Sequence, residues 1–169
     1  MSQAILTAPF VQLEELNHLF IELTAANCNL RCKHCYLEFD PYKKIKDFIS
    51  IDKVKKALVE TKNEPLKCVY LTGGEPMLQA KAFCELANMI KTNPKYDIWC
   101  YTGYLFEDIV YSKDDKYELL KQTDVLIDGL YIDELRDISL AFRGSSNQRI
   151  IDVQESLKQN TVIEWKNNN

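Results

Sequence analysis

Short apolar runs alternate with stretches of three- and four-residue periodicity along most of this chain. Leu19-Phe20-Ile21-Glu22-Leu23 predicts a strand, with Thr24-Ala25-Ala26-Asn27 as its exit into a loop. Ser50 is a suitable N-cap, and Ile51, Val54, Ala57 and Leu58 then share one face, which predicts an amphipathic helix over 51–62. Cys68-Val69-Tyr70-Leu71 reads as a second strand, stopped by Thr72-Gly73-Gly74-Glu75-Pro76. Behind it, Met77, Phe83, Leu86, Ala87 and Ile90 mark a helix running towards Pro94. Ile98-Trp99-Cys100-Tyr101 is a third strand, ended by Thr102-Gly103, and helical spacing follows from Leu105 to Leu120. Val125-Leu126-Ile127 leads into Asp128-Gly129, and Ile150-Ile151 begins a last strand or a turn pair.

Strand and helix in alternation imply an α/β fold with parallel strands, right-handed crossovers and ligand sites at the strand C-termini. A complete eight-unit barrel needs about 200 residues or more, so 169 residues with five or six strands fit an open partial (β/α) barrel of mostly parallel strands. One domain over 1–166 is expected, with 167–169 as a fraying tail.

Charge changes this picture little. Lys and Arg number 21 against 25 Asp and Glu, a formal charge of −4 without long blocks of one sign, which gives nucleic acid or an anionic membrane no electrostatic hold. The start Met1-Ser2-Gln3-Ala4-Ile5-Leu6 has no basic n-region or sustained apolar run, so a cytoplasmic protein is expected. Cys68, Cys84 and Cys100 stand alone in apolar segments and read as buried, inert thiols.

The other three cysteines carry the chemistry. Cys28-Asn-Leu-Arg-Cys32-Lys-His-Cys35 places three thiolates where they can converge on one inorganic unit, and three ligands leave one iron of a four-iron cluster uncapped. A Cys3His zinc site using His34 is the alternative ligand set. Gly73-Gly74, between a strand and a helix, can take positive φ and let backbone approach a ligand without a Cβ in the way.

The Cys-x3-Cys-x2-Cys spacing followed by Tyr36, with Gly73-Gly74-Glu75-Pro76 some forty residues later, closely resembles the radical S-adenosylmethionine (SAM) enzymes. The resemblance implies a [4Fe-4S] cluster on Cys28, Cys32 and Cys35, with SAM chelating the fourth iron. It implies SAM amino-group binding at Gly73 and Gly74, with Glu75 a contact through charge or a helix terminus. Tyr36 would lie near the adenine, and His34 would cap a turn or make a backbone contact near SAM. Thr102 and Asp128, at the ends of the next strands, could contact ribose, methionine or a cation.

Tyr101-Thr102-Gly103-Tyr104, Asp124-Val125-Leu126-Ile127-Asp128-Gly129 and Phe142-Arg143-Gly144-Ser145-Ser146-Asn147-Gln148-Arg149 look like the activating proteins of anaerobic ribonucleoside-triphosphate reductase. That resemblance implies reductive cleavage of SAM, a glycyl radical made on the reductase as partner, and a flavodoxin-like electron donor. The Phe142–Arg149 loop either donates to a phosphate, carboxylate or partner backbone, or forms a hydrogen-bonded turn. One departure stands out: where such activases carry a glycine-rich stretch ahead of the cysteines, this chain has Val11-Gln12-Leu13-Glu14-Glu15-Leu16-Asn17-His18. Two other functions stay open, a radical SAM enzyme modifying another peptide or protein, and a non-enzymatic zinc or electron-transfer module.

Overall fold

The computed structural model describes residues 18–22, 28–30, 32–33, 35 and 68–166. The expected helix over 51–62, the exit 24–27, the tail 167–169, His34 and Tyr36 lie outside the described residues.

Among the described residues five strands form one sheet whose order follows the chain: β1 His18–Glu22, β2 Cys68–Thr72, β3 Asp97–Tyr101, β4 Val125–Asp128 and β5 Arg149–Asp152. The first three pairings are parallel, with His18 opposite Cys68, Cys68 opposite Asp97 and Trp99 opposite Val125. A short 3-10 turn, Pro76–Gln79, and helix α1, Ala80–Ile90, join β2 to β3. Helices α2, Phe106–Ser112, and α3, Asp115–Gln122, join β3 to β4, and α4, Val153–Gln159, follows β5. The architecture is mixed α/β.

Local chemistry sets these boundaries. Pro76 needs no hydrogen-bonded N–H at the first position of its turn, and the Glu75 side chain caps that turn by accepting from the Met77 amide. The helical stretch expected from Leu105 to Leu120 is two helices. Lys113 turns left-handed at φ 49°, and Asp114 then caps α3, accepting from the Lys116 amide at 2.9 Å. Helical spacing carries over this two-residue break, from Val110 to Tyr117, so the polar run Ser112-Lys113-Asp114-Asp115-Lys116 reads as one solvated face.

Ile150 and Ile151 do belong to a strand, paired antiparallel with β4. No helix links the two, only the irregular excursion 129–148 with a 3-10 turn at Asp133–Leu135, so the chain returns beside β4 in the opposite direction. Helix α4 escaped the sequence reading, although Asp152 caps it by accepting from the Glu155 amide at 3.0 Å.

Alternation along the strands sorts side chains onto two faces. Val69, Leu71, Ile98, Cys100, Leu126 and Ile151 share a core with Phe83, Leu86, Ala87 and Ile90 of α1, Phe106 and Ile109 of α2, and Leu119 and Leu120 of α3. The opposite face carries Cys68, Tyr70, Trp99, Val125 and Ile127, against which Tyr101, Ile150 and Trp165 pack. Cys68 and Cys100 are buried as expected. Cys84 is only half-buried, because α1 turns it towards the start of α3, where its thiol donates to the Asp115 carbonyl at 3.5 Å. Among the described residues no helix is long and apolar enough to cross a membrane.

Candidate metal centre

The parallel strands bring their C-terminal ends to one edge, and the described part of the Cys28–Cys35 loop meets the loops after β3 and β4. Cys28 and Cys32 are half-buried and Cys35 is exposed, and none of the three forms a disulfide. A tight turn links two of them, the Cys35 amide donating to the Cys32 carbonyl at 3.0 Å. Burial, and then the negative charge of Cys35 and Cys28, push the Cys32 thiol above its ordinary value. Three soft sulfur donors in one short loop suit a shared iron unit. Among the described residues no group of three His, Cys, Asp or Glu side chains gathers around a point where a single ion would bind.

Three contacts tie this loop to its neighbours. Asn29 Nδ2 donates to the Tyr104 hydroxyl at 3.4 Å, and Lys33 Nζ approaches Asp133 at 3.4 Å and Glu134 at 3.9 Å. Leu30 sits on Gly103: a Cβ there would lie 2.6 Å from Leu30 Cδ1 and 3.0 Å from Leu130 Cδ2. Neither Leu30 nor Lys33 is marked by a motif. The one sequence signal was Gly103 at a strand end, where a missing Cβ permits close approach.

The turn after β2 opens with Gly73 at φ 103°, a conformation that disfavours any side chain. Glu75 and Thr102 are brought together: the Thr102 hydroxyl donates to Glu75 Oε1 at 2.7 Å, and the Gly103 amide donates to Oε2 at 2.8 Å. Thr102 also accepts from the Tyr104 amide at 3.1 Å. Burial raises the Glu75 pKa, while donors from Gly103, Thr102 and Met77 pull it back.

Asp128 belongs to a separate group. Fully buried, it accepts from the Phe106 amide at the start of α2 and forms an ion pair with Arg149, whose Nη1 also reaches Glu107 at 2.9 Å. The two carboxylates hold Arg149 well above its ordinary pKa, and the Arg149 hydrogen bond draws Glu107 down.

The Phe142–Arg149 loop is a hydrogen-bonded turn. Gln148 Oε1 accepts from the Gly144 amide at 3.0 Å and the Ser145 amide at 3.2 Å, its Nε2 donates to the Gly129 carbonyl at 3.1 Å, and Arg143 Nη1 donates to the Gln148 carbonyl at 2.6 Å.

This sheet edge, with its cysteine turn, matches a family model described as a 4Fe-4S single cluster domain over residues 19–151. The anaerobic ribonucleoside-triphosphate reductase-activating protein of Enterobacteria phage T4 is 32% identical over 133 residues, 77% of this chain and 81% of that protein. Its namesake in Vibrio cholerae is 33% identical, covering 76% of this chain and 84% of the relative. GTP 3',8-cyclase of Clostridium perfringens is 29% identical over 88% of this chain but only 45% of its own length. No solved structure matches. The chain belongs to the family of anaerobic ribonucleoside-triphosphate reductase-activating proteins, within the iron–sulfur class that the domain match defines.

Proposed function

We propose that this protein is a radical SAM activase, in which Cys28, Cys32 and Cys35 hold a [4Fe-4S] cluster and a glycyl radical is generated on an anaerobic ribonucleoside-triphosphate reductase. The observation that carries the reading is the placement of the cysteine turn. It lies against the loops after β3 and β4, in a chain covering 81% of a relative named for that activation. A cluster held by Cys28, Cys32 and Cys35 would supply the low-potential electron for reductive cleavage of SAM, the chemistry that radical formation on a partner glycine would draw on. A flavodoxin-like donor provides the electron.

The chain's own residues bind and orient. Gly73 and Gly74 leave backbone carbonyls open to accept from the SAM ammonium, with Gly73 already in the required left-handed conformation. Glu75 and Thr102 tie the turn after β2 to the loop after β3 through their shared hydrogen bond, and Glu75 would add negative charge near a cationic ligand. By the family resemblance Tyr36 would lie near the adenine, and His34 would cap a turn or make a backbone contact near SAM. Asp128 acts at one remove, fixing Arg149 and the start of α2 and so the loops above them.

Sequential parallel strands support an open partial barrel over a single domain, 1–166, with the aromatic face of the sheet as its inner wall. An incomplete barrel leaves a lateral mouth through which a protein loop can reach the site.

Anaerobic reconstitution followed by incubation with SAM, a reductant and the reductase tests this. Deoxyadenosine and a glycyl-radical signal in electron paramagnetic resonance are expected together, and both vanish in Cys32→Ala. Turnover by that variant with a full cluster sinks the ligand assignment. Deoxyadenosine without the glycyl radical favours the second reading, another peptide or protein substrate, which the glycine-free Val11–His18 stretch supports.

A further inference from the structure

Glu75 is only 1% exposed, yet among the described residues no Lys or Arg pairs with it. A buried carboxylate without a cation is expensive unless donors satisfy it. Here three do, and they come from two loops: Met77 N at 3.0 Å from its own turn, then the Thr102 hydroxyl at 2.7 Å and the Gly103 amide at 2.8 Å from the loop after β3. The carboxylate therefore pins Gly103, and Gly103 is the surface on which Leu30 of the cysteine turn rests, so closely that a Cβ would stand 2.6 Å from Leu30 Cδ1. We propose that Glu75 is a positioning residue for the cysteine loop, holding Gly103 so that Leu30 seats against it and Cys28 and Cys32, on either side, are presented at the right depth.

Only a carboxylate can play this part. It accepts at both oxygens, whereas glutamine would turn an amide nitrogen towards a backbone N–H, either that of Gly103 or that of Met77. Leu30 then transmits the position through contact rather than hydrogen bonding, because the Gly103 side of the pair has no side chain to adapt. The inference rests on Cys28, Cys32 and Cys35 being the cluster ligands.

The test follows iron release from the reconstituted holoprotein into a chelator, together with the paramagnetic resonance line shape of the reduced cluster. Glu75→Gln is expected to release iron about 10-fold faster, the low end for residues that orient metal ligands from behind, with an altered line shape. Gly103→Ala should do the same by forcing Leu30 aside. In a Leu30→Ala background the Gly103→Ala effect should shrink, since the Leu30 methyls are gone and only the 3.0 Å approach to Leu130 Cδ2 remains. Ile151→Val, a core change away from this chain of contacts, should lower thermal stability while leaving release and line shape unchanged. Parental release by both Glu75→Gln and Gly103→Ala overturns the inference, as does a Gly103→Ala effect undiminished by Leu30→Ala. A parent that takes up no cluster overturns the ligand reading, and this inference with it.

Discussion

The two faces of the sheet are both buried but are built differently. One is aliphatic, with Val69, Leu71, Ile98, Leu126 and Ile151 packed under the helices. The other is aromatic: Trp99 lies 5.4 Å from Tyr70, 4.9 Å from Trp165 and 5.0 Å from Phe142, ring centre to ring centre. The helical cover comes from connections the parallel topology requires, so it is continuous. Among the described residues, single side chains from the 129–148 excursion and the C-terminal segment cover the aromatic face. Trp165 reaches it because residues 163–165 pair with β5, the Trp165 amide donating to the Ile150 carbonyl at 2.9 Å. A face closed by a few rings can be opened locally without unfolding the molecule, whereas the helix-covered face cannot.

The sharpest way to break this comparison is Trp99→Ala. Trp99 is 4% exposed at the centre of the aromatic group, and its loss should cost about 4 kcal/mol in urea unfolding. Leu126→Ala, on a fully buried residue of the aliphatic face, should cost about 3 kcal/mol. If Trp99→Ala proves the cheaper of the two, the aromatic face lies outside the cooperative core. Trp165→Ala should cost about 1 kcal/mol, the worth of an edge-on aromatic pair. Amide hydrogen exchange should then quicken around β5 and residues 163–165 while α1 and α3 stay protected.

The smallest effect is acid sensitivity at the rim. The Arg149 hydrogen bond lowers Glu107 below its ordinary 4.5, so its contribution is complete above that pH and fades as pH falls through the lower folded value. Asp114, drawn from 3.8 to about 2 by the Lys116 and Ser112 hydrogen bonds, behaves likewise in that interval. Melting temperature should therefore decline as pH falls below 4.5, with a shallower decline in Glu107→Gln. Both carboxylates are exposed, so screening keeps the effect slight.

The strands were legible because alternation and β-branched or aromatic residues survive in any context. Val69-Tyr70-Leu71 and Ile98-Trp99-Cys100 each carry both faces of the sheet in three letters. The helix break at Lys113 went unread, since Val110 and Tyr117 keep helical spacing across the polar run Ser112-Lys113-Asp114-Asp115-Lys116 that holds its cap, Asp114. Nor was the reversal at β5, because direction is a property of the connection and residues 129–148 have no periodicity from which to read it. At the site, Gly73 declared itself as a turn glycine. Glu75 and Thr102 looked like two independent candidates, although they share one hydrogen bond. Asp128 looked like a ligand-facing carboxylate and is occupied by Arg149 and the Phe106 amide.

The chain by itself determined the chemistry: three soft donors at fixed short spacing and a glycine turn are local properties that need no fold to be recognised. Tertiary structure alone decided which polar groups remain open for a ligand. A carboxylate's lone pairs are claimed by donors brought from elsewhere, 27 residues away for Thr102 on Glu75 and 21 for Arg149 on Asp128. Such long-range pairing depends on which strands lie side by side, and no short stretch of sequence encodes it.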